Sequence, residues 1–460
     1  MIMKIINSDE LIKVFNYNAF EIFDGAIDHR DFLKYILPLF CLKHYSCINK
    51  DDDLFYNLYN YKDESNLSCR VDESLKILSE KNECLRGVFN HISYDNIKFG
   101  NGENKNSILS KLLSIIDDPF FFPHNGDDDK LIKICDSLLI DTDFYTPKCV
   151  SSLLSKLIVV DGVNSFYDPA CGSGSILVEC ANQLHELDSE NEGYELYGQE
   201  IMRDTWSIAK MNLFVHGEYN SYIEIGNTIT EPKFLDSHTS LKKFDAIVSV
   251  PPFSISNWGH ETALNDQFNR FDRGIPSRTK GDYAFILHMI KSLSNTGSMA
   301  IVVPHGVLFR MGSEGDIRKS LINDNILDAV IGLPEKMFNN TVIPVAILIF
   351  KKNKKNKNVI FIDSSNDFKL NKNKNEIDSK SLDKIIETYF DREVIDWYSH
   401  VSDVNEIINN DYNLNISRYV NKLIEEKKVN LHSLYEDRII LKNTLDNLEF
   451  KMSDMIKTFK

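Results

Sequence analysis

Between residues 141 and 400, short apolar runs alternate with stretches of helical periodicity, and no other feature of this 460-residue chain restricts its fold as tightly. The runs fall at residues 165–167, 195–198, 222–225, 246–250, 299–303, 327–331 and 346–350. Helical patterns occupy residues 176–187, 205–215 and 283–294. A strand that is apolar on both sides must be covered on both sides, and strands that alternate with helices pair in parallel. The pattern therefore predicts an α/β domain over residues 141–400, with a mainly parallel sheet between helical layers.

Two flanking regions read differently. Residues 1–140 are expected to form a helical amino-terminal domain, because residues 31–43 and 107–116 carry apolar side chains at helical spacing. The acidic stretches 51–53 and 127–129 read as solvated loops, as do the Lys/Asn-rich segments 351–358 and 371–375. Residues 401–460 are expected to form a carboxy-terminal helical tail. There Leu434, Leu441, Leu445, Leu448, Met452, Met455 and Phe459 follow a 4-3 spacing that only Arg438 interrupts. That stripe suits a helix that binds a partner; folding back onto its own domain is the alternative.

Composition narrows the function. Lys and Arg number 52 against 68 Asp and Glu, a net charge of −16. A chain so acidic does not coat DNA or an anionic membrane by itself, so a nucleic-acid substrate needs a local basic channel or a partner subunit. The eight cysteines show no C-x-x-C spacing, which argues against zinc and for reduced thiols. The longest apolar stretches, such as residues 342–350, are too short to span a bilayer. A soluble cytoplasmic protein with no membrane partner and no metal is expected.

The most informative segment is Phe166-Tyr167-Asp168-Pro169-Ala170-Cys171-Gly172-Ser173-Gly174-Ser175-Ile176-Leu177. It reads as a strand, a tight glycine turn and an amphipathic helix. Gly172 and Gly174 let the backbone approach a ligand and present N–H groups at a helix start. The dinucleotide fingerprint G-x-G-x-x-G fails at Leu177, which counts against nicotinamide and flavin enzymes. At the end of the next run stands Glu200, where a carboxylate can accept both hydroxyls of a ribose.

This ordered set resembles the S-adenosyl-L-methionine site of amino-group DNA methyltransferases, and more narrowly the modification (M) subunits of type I restriction–modification systems. Phe144-Tyr145-Thr146-Pro147 is similar to a family segment that packs over the methionine part of the cofactor. Gly198-Gln199-Glu200, Ala209-Lys210-Met211-Asn212-Leu213 and Gly217 resemble the family's second motif. Further similar segments are Asp282-Tyr283-Ala284-Phe285-Ile286-Leu287-His288, Val303-Pro304-His305-Gly306-Val307-Leu308-Phe309-Arg310, Gly332-Leu333-Pro334 with Thr341-Val342-Ile343-Pro344, and Tyr412-Asn413-Leu414 with Arg418-Tyr419. The resemblance implies a Rossmann-like methyltransferase sheet. It implies that Tyr145, Thr146, Pro147, Asp168, Gly172, Gly174, Glu200 and Asn227 serve the cofactor. Asp168 would bracket its amino-acid end through the loop, and Asn227 would stand where the family often uses an aspartate to read the adenine amine. An asparagine oxygen can accept that bond.

The same resemblance implies the reaction and its partners. The family flips a target adenine into a slot built by Asn-Pro-Pro-Phe or Asp-Pro-Pro-Tyr, whose first residue accepts a hydrogen bond from the reacting amine. Here the segment reads Val250-Pro251-Pro252-Phe253, so the acceptor is a valine. Ser249 is a poor substitute, because neighbouring strand residues point to opposite faces. The expectation is adenine-N6 methylation of double-stranded DNA for phage defence, with cofactor binding kept and transfer impaired. A naturally weakened homologue and a substitution that traps a complex both account for Val250. The implied partners are a specificity (S) subunit, a second M subunit and, as a further member, a restriction subunit. Competing readings are a methyltransferase acting on a small molecule, RNA or protein, and a non-catalytic scaffold that holds cofactor and DNA.

Overall fold

Alternate residues along each central strand serve two different cores, and this alternation fixes the layers. Phe166, Leu196, Ala246, Val248, Ala300 and Val302 belong to one buried cluster, and Tyr167, Tyr197, Ile247, Met299, Ile301 and Val303 to the other. With a side-chain period of two, a strand apolar at every position places half its residues in each core. The computed structural model describes residues 8–23, 28–49, 52–95, 102–122, 128–140, 142–187, 193–338, 341–371, 374–420 and 431–458.

The main sheet uses β1 (Ser165–Asp168), β2 (Glu195–Glu200), β3 (Ser221–Ile225), β4 (Phe244–Ser249), β5 (Leu293–Pro304), β6 (Leu327–Gly332), β7 (Val345–Lys351), β8 (Val359–Asp363) and β9 (Ser399–Ser402). Their spatial order is β9-β8-β6-β7-β5-β4-β1-β2-β3. Strands β3, β2, β1, β4 and β5 run parallel. Strand β7 is antiparallel to both of its neighbours, β5 and β6, and β9 is an antiparallel edge. The chain order reverses between β1 and β4, the switch point where open α/β sheets bind ligands beyond the strand carboxyl ends. Every expected strand is present. Strands β8 and β9 lie outside the expected set, and residues 371–375 fall in a small hairpin of Lys369–Asn371 with Lys374–Glu376.

Helices α1 (Ser8–Glu21), α2 (His29–Ile48), α3 (Leu54–Asn60), α4 (Leu67–Lys81), α5 (Gly102–Ile116) and α6 (Asp128–Leu139) make up the amino-terminal region. Helices α7 (Lys148–Ile158), α8 (Ser175–Leu187) and α9 (Arg203–Val215) cover one face of the sheet. Residues 205–215 of α9 are all buried, because the amino-terminal helices pack on its outer side. Two polar links cross that junction. His44 Nε2 lies 2.9 Å from the Tyr219 hydroxyl, and His216 Nε2 lies 3.3 Å from Asp136 Oδ1. Burial opposes charge on His216, yet Asp136 raises its pKa overall.

The chain divides into two compact units, Met1–Val420 and Asn421–Lys460. The separate domain expected at residues 1–140 is thus part of a larger unit, since α9 is shared between the helical region and the sheet. The tail boundary also moves, from 401 to about 421. Strand β9 pairs with β8, and Ile407, Leu414, Ile416 and Val420 are buried. Tyr419 stacks on Phe361 with centroids 3.8 Å apart. Among its described residues the second unit contains the helix Leu431–Thr458, along which Leu441, Leu445, Leu448 and Met452 are exposed. The side chains of Leu434 and Met455, and residue Phe459, lie outside the described residues.

Candidate active site

A cleft of about 740 Å³ opens at the carboxyl ends of β1, β2, β3 and β4. Tyr145, Thr146, Gly172, Glu200, Asn227, Val250, Pro251, Pro252 and Phe253 all line it. Segments more than 100 residues apart in sequence therefore line one cleft. Pro147, Asp168 and Gly174 lie outside the lining and act on its framework.

The glycine turn is built by close backbone approach. Gly172 has φ +54°, and a Cβ there would sit 2.6 Å from the Phe144 carbonyl oxygen. That same oxygen accepts the Ser173 N–H at 3.3 Å, so the Phe-Tyr-Thr-Pro segment clamps the turn. Pro147 starts α7, its carbonyl accepting the Val150 N–H at 2.8 Å. Gly174, at φ +77°, lets the start of α8 rest against Ala209 and Leu213 of α9. Asn212 Nδ2 donates to the Ser173 carbonyl at 2.9 Å and locks the turn from the other side.

Three acidic or amide groups stand at the polar floor or just beneath it, Glu200 and Asn227 on the lining and Asp168 behind it. Glu200 accepts the Gly172 N–H at 3.2 Å and the Met202 N–H at 2.8 Å, and burial raises its pKa. Asp168 is fully buried and accepts the Ala170 N–H at 2.9 Å and the Ser249 hydroxyl at 2.8 Å, both on Oδ1. Its Oδ2 has no hydrogen-bond partner. Burial, with the nearby Glu200 charge adding to it, pushes the Asp168 carboxyl up to about 7. Asn227 Oδ1 already accepts the Ile229 N–H at 2.9 Å and the Thr230 N–H at 3.1 Å. The oxygen expected to face a ligand is spent on this turn, and the amide NH₂, a donor, remains for the cleft.

The far wall is apolar. Strand β4 ends at Ser249, so Val250 opens the loop rather than closing the strand. Phe253 meets Phe338 edge-to-face, with centroids 5.7 Å apart at 87°, and Ile255, Trp258, Phe285 and Ile343 extend the wall. Among the described residues no group of three or more His, Cys, Asp or Glu is placed to hold a metal.

Several groups support the cleft through partners distant in sequence. Arg270 is fully buried and donates to the Thr228 and Ile229 carbonyls at 3.2 and 2.8 Å, while pairing with Asp266 at 2.7 Å. It thereby pins the turn after β3. Its guanidinium lies 3.3 Å from His288 Nδ1, and burial, with this charge, holds His288 far below the usual histidine range. Gln199, buried beneath the same turn, bonds the Glu231 carbonyl and the Lys233 N–H. Only long-range pairing reveals these roles.

A parallel sheet with strand order 3-2-1-4-5, an antiparallel strand beyond it, and a glycine turn facing a Pro-Pro-Phe loop across the switch point is the architecture of α/β methyltransferases. The chain's likenesses agree and are narrower. It belongs to the N-6 DNA methylase family, whose model matches residues 141–428. It is 32% identical over 328 residues to the type I restriction enzyme MpnII methylase subunit of Mycoplasma pneumoniae, covering 69% of this chain and 60% of that protein. It is 31% identical over 330 residues to the MjaVIII methylase subunit of Methanocaldococcus jannaschii, covering 69% and 55%. The chain thus spans a little over half the length of these relatives. The crystal structure of a type I restriction–modification methyltransferase subunit from Streptococcus thermophilus superposes with a TM-score of 0.73 at 28% identity, over 90% of this chain and 100% of that one.

Proposed function

We propose that this chain is the modification subunit of a cytoplasmic type I restriction–modification complex, a DNA adenine-N6 methyltransferase whose transfer step is weakened at Val250. The observation that carries this is the single cleft in which Gly172 and Glu200 face the loop at residues 250–253. S-adenosylmethionine fits the residues present. The buried, unpartnered Oδ2 of Asp168 and the raised carboxyl of Glu200 flank the glycine turn. A ligand carrying positive charge relieves that arrangement. Each Glu200 oxygen accepts one backbone N–H and keeps a lone pair for a ribose hydroxyl.

When bound, S-adenosylmethionine supplies a methyl group on a sulfonium. The chain's own residues orient and shield the acceptor. Pro251 and Pro252 stiffen the loop, and Phe253 offers a ring on which an everted base can stack. Val250 has no atom to accept the adenine amine. Ser249 cannot replace it, because its hydroxyl donates to Asp168 at 2.8 Å on the buried side. Loss of one preorganised polar contact of this kind lowers a rate by roughly 10²–10³.

The charge of −16 leaves duplex binding to partners, so an S subunit, a second M subunit and double-stranded DNA complete the working unit, with a restriction subunit as a further member. The exposed stripe of Leu441, Leu445, Leu448 and Met452 supports a tail that docks on a partner. Val250 favours one second reading, a scaffold that holds cofactor and DNA without transfer.

Calorimetry with S-adenosylmethionine, followed by labelled-methyl transfer to duplex DNA with the partner present, tests the proposal. Binding is expected, with slow transfer that Val250→Asn accelerates. No cofactor binding would sink it. Transfer absent in both forms would leave the scaffold.

A further inference from the structure

We propose that Asp282 and Arg310 are positioning residues that latch the base slot, acting through the backbone of Ser254. The inference rests on the assignment of residues 250–253 as that slot. Ser254 follows the slot and has φ +53°, a left-handed conformation that a non-glycine residue rarely adopts unsupported. Asp282, 2% exposed, accepts its N–H on Oδ1 at 2.8 Å and its hydroxyl on Oδ2 at 3.4 Å. The Ile255 carbonyl accepts the Gly281 N–H at 3.0 Å, so two adjacent bonds hold the loop to the start of the helix Asp282–Ser292.

The carboxylate is itself held. Arg310 donates to Asp282 Oδ2 at 2.6 Å and, through Nε, to Glu314 at 2.6 Å. Arg310 in turn stands on a fixed turn. Buried Arg318 donates to the Arg310 carbonyl at 2.9 Å and to the Val307 carbonyl at 3.2 Å, and the Tyr283 hydroxyl donates to Val307 at 3.0 Å. None of these side chains lines the cleft. Their effect on the reaction therefore runs through Ser254, which sets where Phe253 places its ring against Phe338.

The test uses the full chain with its DNA-reading partner and a duplex carrying 2-aminopurine at the recognised adenine, whose fluorescence rises when the base leaves the stack. S-adenosylmethionine affinity is measured alongside by calorimetry. Asp282→Ala is expected to lower the eversion equilibrium by about tenfold or more, the worth of a charge-assisted hydrogen bond, with cofactor affinity within about twofold. Asp282→Asn keeps an acceptor for the Ser254 N–H, so it and Arg310→Lys are expected to fall between. These two carry the test if Asp282→Ala does not fold. An unchanged fluorescence rise across the set overturns the latch, as does a parallel loss of cofactor affinity, which would mark a general structural role. No rise in the unaltered protein would instead strike the slot assignment on which the latch depends.

Discussion

The Ser249 hydroxyl donates to Asp168 Oδ1 at 2.8 Å, and both residues are fully buried. Asp168 ends β1 and Ser249 ends β4, so one hydrogen bond joins the strand that launches the glycine turn to the strand that launches the loop proposed as the base slot. The register of the two half-sites is thus set beneath the cleft rather than in it. Ser249→Ala removes the bond without adding bulk. It is expected to weaken S-adenosylmethionine binding several-fold and to leave Asp168 with a single partner; calorimetry reads the loss.

The same carboxyl predicts a pH dependence. Asp168 is raised to about 7, so near neutrality it is partly protonated. A cationic cofactor favours the ionised form, so affinity is expected to fall as pH drops through about 7, with proton release on binding. The stability of the ligand-free protein moves the opposite way. Its folded pKa lies above the unfolded value, so the contribution is present at low pH and is lost as pH rises toward 7. Urea melts at pH 5.5 and 8 should show a difference that Asp168→Asn reduces. Equal slopes in the two proteins would refute the assignment.

Gly172→Ala places a methyl 2.6 Å from the Phe144 carbonyl oxygen in a residue at φ +54°. The backbone cost alone is about 1–2 kcal/mol, and the clamp must open as well. A fall in melting temperature of a few degrees and at least tenfold weaker cofactor binding are expected from thermal melts and calorimetry.

Asn227→Asp should strengthen cofactor binding. One carboxylate oxygen can keep the Ile229 and Thr230 N–H groups, and the second then offers an acceptor where the amide offers a donor. A gain of roughly tenfold follows from matching one hydrogen bond. Weaker binding would show that the ligand presents an acceptor at this position.

Removal of residues after 430 should leave cofactor affinity unchanged, because the cleft lies within the unit Met1–Val420. Co-purification with the S subunit should be lost. Retained co-purification would place that interface elsewhere.

What sequence makes legible here follows the physics of each signal. The turn around Gly172 and the loop at residues 250–253 are continuous segments with local chemistry, and both contribute lining to the cleft, with Gly174 behind it. Glu200 is legible because it ends a strand beside that turn. The resemblance implies that Asp168 acts through the loop; it sits on the buried end of β1, outside the cleft lining. Residue type alone suggests an acceptor at Asn227, whereas the direction of its oxygen depends on backbone N–H groups two and three positions later. Arg270 looks like a surface charge in a linear sequence, and nothing in the segment that ends at Arg310 names Asp282 as its partner; the Thr228 and Ile229 carbonyls and Asp282 reach these arginines only through the fold. The tail boundary lies near 421 rather than 401 because β9 pairs along the sheet edge and Ile407, Leu414 and Ile416 are buried after it.

Helix α9, walled in along residues 205–215, has a practical consequence for anyone wishing to trim this protein. Cutting near 140 would not release a free-standing enzyme core. It would strip the cover from Met211 and Phe214 and leave a sticky ridge directly behind the glycine turn. A miniature version must either keep the first helices or repaint that ridge with polar side chains.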